Sequence, residues 1–111
     1  MKRIQTGPRI CQAVVANGIV TTSGITSFGT DAEDQTRGIL TQVDSLLAEA
    51  GTTKSKLISV NVWLKDIADF DAMNRAWDDW VDKDNVPVRA TIEARLFSPE
   101  LLVEIQVSAL V

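Results

Sequence analysis

The chain has 111 residues, 45% hydrophobic and 23% charged, with a net charge of −4 and an isoelectric point near 4.7. That is long enough to bury one core unaided, so a single domain spanning residues 1–111 is expected, and the acidic balance argues against a nucleic-acid surface. Histidine is absent and Cys11 is the only cysteine, which excludes an internal disulfide, the commonest metal ligand, the usual general base and every Ser-His or Cys-His pair.

In chain order, a first strand is expected near residues 2–6. "CQAVVANGIVTTSG" then reads as strands near 11–16 and 19–24 joined by Asn17-Gly18, the strongest short hairpin signal. "DAEDQTRGILTQVDSLLAEAG" predicts a helix. Asp31 is placed to cap it, and Ile39, Leu40, Val43, Leu46, Leu47 and Ala50 recur at i, i+3, i+4 before Gly51 stops it. "KLISVNVWLK" alternates as a strand, with Ile58, Val60, Val62 and Leu64 on one side. A second helix is predicted over "DFDAMNRAWDDWVD", capped by Asp69, with Phe70, Met73, Trp77, Trp80 and Val81 as its buried stripe.

The end of the chain reads as a hairpin around "FSPE". Val88, Ala90, Ile92, Ala94 and Leu96 fall on the expected core side of one strand, opposite Arg89, Thr91, Glu93 and Arg95. Leu101, Val103, Ile105, Val107 and Ala109 likewise alternate with Leu102, Glu104, Gln106, Ser108 and Leu110. The expected architecture is therefore α+β, a mixed sheet with two helices packed on one face. The uncovered face would carry Leu57, Trp63, Leu102 and Leu110 together with Arg89, Thr91, Glu104 and Gln106. An apolar patch of that size predicts a symmetric homo-oligomer.

No apolar run approaches the roughly 20 residues that span a bilayer, and "MKRIQTGPRI" lacks the core of a secretory signal. A cytoplasmic protein with no membrane partner is the expectation. No metal-ligand spacing is present, and no cofactor is expected.

Chemistry must then run on carboxylates, guanidinium groups, hydroxyls and water. Arg89 and Glu104 on a partly dry face allow two readings. One is an interface ion pair. The other is a small-molecule site in which Arg89 grips a carboxylate through its bidentate fork while Glu104 handles a water or a proton. A simple four-residue loop at "FSPE" would leave the two about 13 Å out of register along the strand. Either they meet across a subunit boundary or a bulge shifts the register.

"TSG" at Thr22 to Gly24, "QTRGILTQVDSLLAEAG" at Gln35 to Gly51, "VNVWLKDIADFDAMN" at Val60 to Asn74, "PVRATIEARL" at Pro87 to Leu96 and "VEIQVSA" at Val103 to Ala109 resemble the Rid (YjgF) family of enamine/imine deaminases. The likeness runs from about Gly7 to Ala109, and the "P-x-R" strand followed by "VEI-x-x-x-A" is its most specific part. It implies a chorismate-mutase-like fold, a homotrimer and ligand clefts between subunits. Carried over, Arg89 would bind the substrate carboxylate and Glu104 would be the catalytic acid-base, with Thr91, Ser23 and Asn74 bordering the substrate. Three positions depart from the family pattern. Arg9 stands where a tyrosine is frequent, Thr91 where a cysteine is common and Ile25 where many relatives carry glutamine. Cys11 reads as a small buried group.

The resemblance implies hydrolysis of imines of the 2-aminoacrylate type to a 2-keto acid and ammonia. The alternative is a non-catalytic module of the same fold that binds a small carboxylate or keto acid.

Overall fold

A computed structural model describes residues 1–111. Strands β1 (Lys2–Thr6), β2 (Cys11–Ala16) and β3 (Ile19–Thr22) lead into helix α1 (Ala32–Ala50). Strand β4 (Leu57–Leu64), helix α2 (Phe70–Trp80), and strands β5 (Val88–Glu93) and β6 (Val103–Leu110) complete the chain. The six strands form one sheet in the order β1-β2-β3-β6-β4-β5, antiparallel throughout except for the parallel pair β4–β5.

Several local signals act as expected. Asn17 and Gly18 both take positive φ, 53° and 76°, the geometry that lets a two-residue turn follow the strand twist. The Asp31 carboxylate accepts from the Asp34 N–H at 2.8 Å, and Gly51 closes α1 in the left-handed region at φ 87°. The α1 stripe of Ile39, Leu40, Val43, Leu46 and Leu47 packs with Met73 and Trp77 of α2 over Val60, Val62, Leu64, Val103, Ile105 and Val107. Each such side chain contributes about 1.5–3 kcal/mol by leaving water.

Other expectations need correction. Asp69 occupies the N-cap position of α2, but its side chain makes no capping hydrogen bond. It ends a short 3-10 turn, Ile67–Asp69, whose own cap is Asp66, accepting from the Ala68 N–H at 2.9 Å. Phe70 is not buried but 40% exposed, while Trp80 and Val81 are half-buried. The final hairpin does not exist. β5 pairs in parallel with β4, β6 pairs with the opposite edge of β4, and the segment 94–102 crosses the end of β4 between them.

The faces of β5 are consequently reversed. Arg89 aligns with the buried Val60 and Thr91 with the buried Val62, so both point toward α2. Val88 and Ile92 stand on the helix-free face, 70% and 55% exposed. Around Ile58 the β4–β6 register shifts, which turns Leu57 into the core and leaves Ile58 exposed. The helix-free face thus carries Val88, Ile92, Trp63, Leu102 and Leu110 beside Glu104 and Gln106.

The crossing segment is pinned by Gln35, a buried residue in the second turn of α1. Its amide donates to the Glu100 carbonyl at 2.9 Å and to the Gly29 carbonyl at 3.3 Å, and its oxygen accepts from the Leu102 N–H at 2.8 Å.

Candidate functional site

Arg89 lies at the outer edge of the sheet beneath α2. Its guanidinium carbon sits 5.1 Å from the centre of the Trp77 ring and 5.8 Å from that of Phe70, and Nη1 points at the Met73 sulfur at 3.8 Å. No carboxylate pairs with it. The three ion pairs of the chain, Arg37–Glu33, Arg37–Asp79 and Arg75–Glu33, all join side chains of the two helices. Burial pushes the guanidinium pKa down and the nearby Asp78 offsets part of that effect, but a guanidinium stays charged regardless. The side chain is therefore a half-buried cation stacked on aromatic faces, with donors left over for a ligand. It opens into a groove of about 560 Å³ lined by Asp71, Asn74, Arg75, Trp77, Asp78 and Arg89.

Asn74 belongs to this groove because α2 repeats every 3.6 residues, so Phe70, Asn74, Trp77 and Asp78 project along one flank. Thr91 is the next residue on the same face of β5. Its hydroxyl is buried with no hydrogen-bond partner, so it forms wall rather than an exposed contact.

Glu104 stands on the other side of the sheet. It aligns with Trp63 of β4, whose neighbours Val62 and Leu64 face the core. Burial raises its carboxyl pKa above the ordinary range, and no ion pair opposes the shift. A bulge brings a loop against it: three residues lie between Thr21 and Ile25 on one strand, and two between Ile105 and Ser108 on its partner. Ser23 and Gly24 occupy that bulge, and a methyl group on Gly24 would land on the Glu104 carboxylate. The Ser23 hydroxyl donates to Gln12 Oε1 at 2.9 Å, and Gln106 Nε2 donates to the Thr22 carbonyl at 2.9 Å. Beyond Gly24 and Gln12 lies a second groove, about 570 Å³, bordered by Gln42, Leu46 and the 79% exposed Phe97.

The sequence-derived residues therefore fall into two groups. Arg89, Asn74 and Thr91 share the α2 edge, and Glu104 and Ser23 share the helix-free face. Sequence reasoning missed Gln12, Phe70, Trp77 and Asp78 as neighbours of these groups. The Asn17-Gly18 turn already implies that Ser23 opposes Gln12, and helical spacing from Asn74 reaches Phe70, Trp77 and Asp78.

The chain and its six-stranded sheet with two helices match a known class of protein. The sequence model described as Endoribonuclease L-PSP matches residues 2–111, and the chain belongs to that family, also called the YjgF/RutC/Rid family. A RutC family protein of Haemophilus ducreyi is 41% identical over 109 residues, covering 96% of this chain and 93% of its own. The crystal structure of a YjgF family member from Neisseria meningitidis superposes with a TM-score of 0.96 at 40% identity, covering 98% of this chain and 92% of that one. A Yersinia pestis protein of unknown function from the Rid family superposes with a TM-score of 0.89 at 31% identity, covering 96% and 90%.

Proposed function

We propose that the protein is a hydrolytic deaminase of reactive enamine/imine intermediates derived from amino acids, working at clefts between the subunits of a homotrimer. The observation that carries this reading is the guanidinium of Arg89, stacked on Trp77 and Phe70 and left without a carboxylate of its own. A small organic acid fits that vacancy. Each cleft would join the Arg89, Asn74 and Thr91 edge of one protomer to Glu104 and Ser23 of a neighbour. The exposed Val88 and Ile92 support such an assembly, since monomers rarely leave such an apolar sheet face wet.

Arg89 holds the substrate carboxylate in a fixed plane, which removes orientational freedom from the attack of water. The imine carbon is electrophilic once its nitrogen is protonated. Glu104 takes a proton from the water as its oxygen bonds to that carbon, then returns the proton to nitrogen. Glu104, again ionised, takes the remaining hydroxyl proton as the C–N bond breaks, the C–N electron pair leaves with ammonia, which picks up that proton as ammonium, and a 2-keto acid remains. The raised pKa of Glu104 suits the second step, because a weaker carboxylic acid is a better-matched donor near neutrality. No step requires a cofactor. The ribonuclease activity in the family's description gains little support from a chain of net charge −4 without histidine.

The test follows ammonia release from a freshly generated 2-aminoacrylate-type imine, comparing the wild type with Arg89→Ala. The variant should fold normally and lose turnover. Full activity would end the proposal. Keto-acid binding that depends on Arg89, with no ammonia released by the wild type, would identify the non-catalytic binding module instead.

A further inference from the structure

Arg89 is the one cation lining its groove that has no ion-pair partner. The other, Arg75, bonds Glu33 Oε1 through Nε at 2.7 Å, and Asp71 also acts on it electrostatically. Asp71 and Asp78 project from the same flank of α2, one turn before and one turn after Asn74, and both are exposed to the groove. Neither lies within ion-pair distance of Arg89. The groove therefore sets Arg89, which has no ion-pair partner, within the electrostatic reach of Asp78, while Asp71 acts on Arg75. A ligand with one carboxylate satisfies Arg89. A second anionic group held close to the first would meet Asp78, the carboxylate that acts on Arg89, and like charges in a partly dry cleft repel.

We infer that Asp78, seconded by Asp71, sets the substrate class of this site: acids with a single carboxylate and a neutral or cationic side chain are accepted, and those with a second anionic group are refused. The inference rests on the proposed carboxylate role of Arg89 and adds which acids that role serves. It follows that the reactions feeding this protein would yield imines of uncharged or basic amino acids rather than of acidic ones.

The stable product acids serve as probes. Calorimetric titration of the full-length protein at low ionic strength would compare 2-oxobutanoate, a monoanion, with 2-oxoglutarate, a dianion that also carries a 2-keto acid head. The wild type should bind the monoanion about tenfold more tightly, Asp78→Asn should narrow that ratio about fivefold, and Asp71→Asn should narrow it less. Added salt should also narrow the gap in the wild type, because screening weakens the repulsion. Equal binding of both acids by the wild type, or a ratio that Asp78→Asn leaves unchanged, would overturn the inference while leaving the Arg89 site standing. If neither acid binds, the carboxylate site fails, and the selectivity rule fails with it.

Discussion

Arg89 and Glu104 lie on opposite faces of the same sheet. Arg89 is level with Val60 and Glu104 with Trp63, on strands flanking β4, so their Cα atoms are about 14 Å apart and their side chains diverge. No small imine can touch both within one protomer. The proposed cleft then requires two protomers, and mixing experiments can test it. Arg89→Ala and Glu104→Gln chains, each inactive alone, should regain about a quarter of wild-type turnover when unfolded together and reassembled at equal concentration. Absence of any recovery would mean that the two residues do not act on one substrate.

Glu104→Gln should lower kcat by about a hundredfold or more, in line with the loss of a general acid-base. The same variant carries a pH signature in stability. Burial raises the folded-state pKa of Glu104, so between the unfolded and folded values the native state holds more protons. Stability therefore falls as pH rises through that window. The glutamine variant escapes this loss. Its melting temperature should exceed that of the wild type at neutral pH, and the difference should vanish at pH values below the unfolded carboxyl pKa.

Gly24→Ala separates chemistry from binding. The added methyl group must displace the Glu104 carboxylate, whereas Arg89 sits on the other face. Turnover should fall at least about tenfold, as expected when a proton-transfer group is misplaced. Arg89-dependent keto-acid affinity should stay within about twofold of wild type. Equal losses in both would argue that the bulge shapes the whole cleft.

Gln35→Leu should cost about 2 kcal/mol, read from chemical unfolding, because it takes the partner from the part-buried Leu102 N–H and Glu100 carbonyl. The same change should loosen the segment 94–102, visible as faster amide exchange at Leu102.

The elements were legible where local chemistry decides them. Asn17-Gly18, Asp31 and Gly51 each set a backbone conformation that depends on neighbours in sequence, and each behaves as its residue type predicts. The pairing of β5 was not legible. Alternation identifies a strand but does not name its partner, and an apolar series such as Val88, Ala90 and Ile92 reads alike whether it meets a core or another subunit. Nothing in "FSPE" reveals that the chain crosses over β4 before it turns back. The α2 cap failed for a related reason, since Asp66 and Asp69 compete for one turn and sequence alone does not rank them.

The candidate site followed the same division. Arg89 and Glu104 stood out because a chain without histidine leaves few groups able to act. Their separation by the sheet was hidden with the pairing. Asn74 joins Arg89 through helical periodicity, whereas the approach of Gly24 to Glu104 depends on a bulge opposite β6 that no turn motif announces.

The contact between Arg89 and the indole of Trp77 also makes the protein its own optical reporter. Trp63 faces the other side of the sheet, and the Trp80 Nε1 is tied to Asp44 at 3.0 Å. Of the three indoles, Trp77 alone touches the guanidinium, so an acid that draws Arg89 away from the ring should alter the emission of Trp77 and of Trp80, 5.5 Å from it, and leave that of Trp63 unchanged. Occupancy could then be followed in solution by light alone, without a label and without waiting for product.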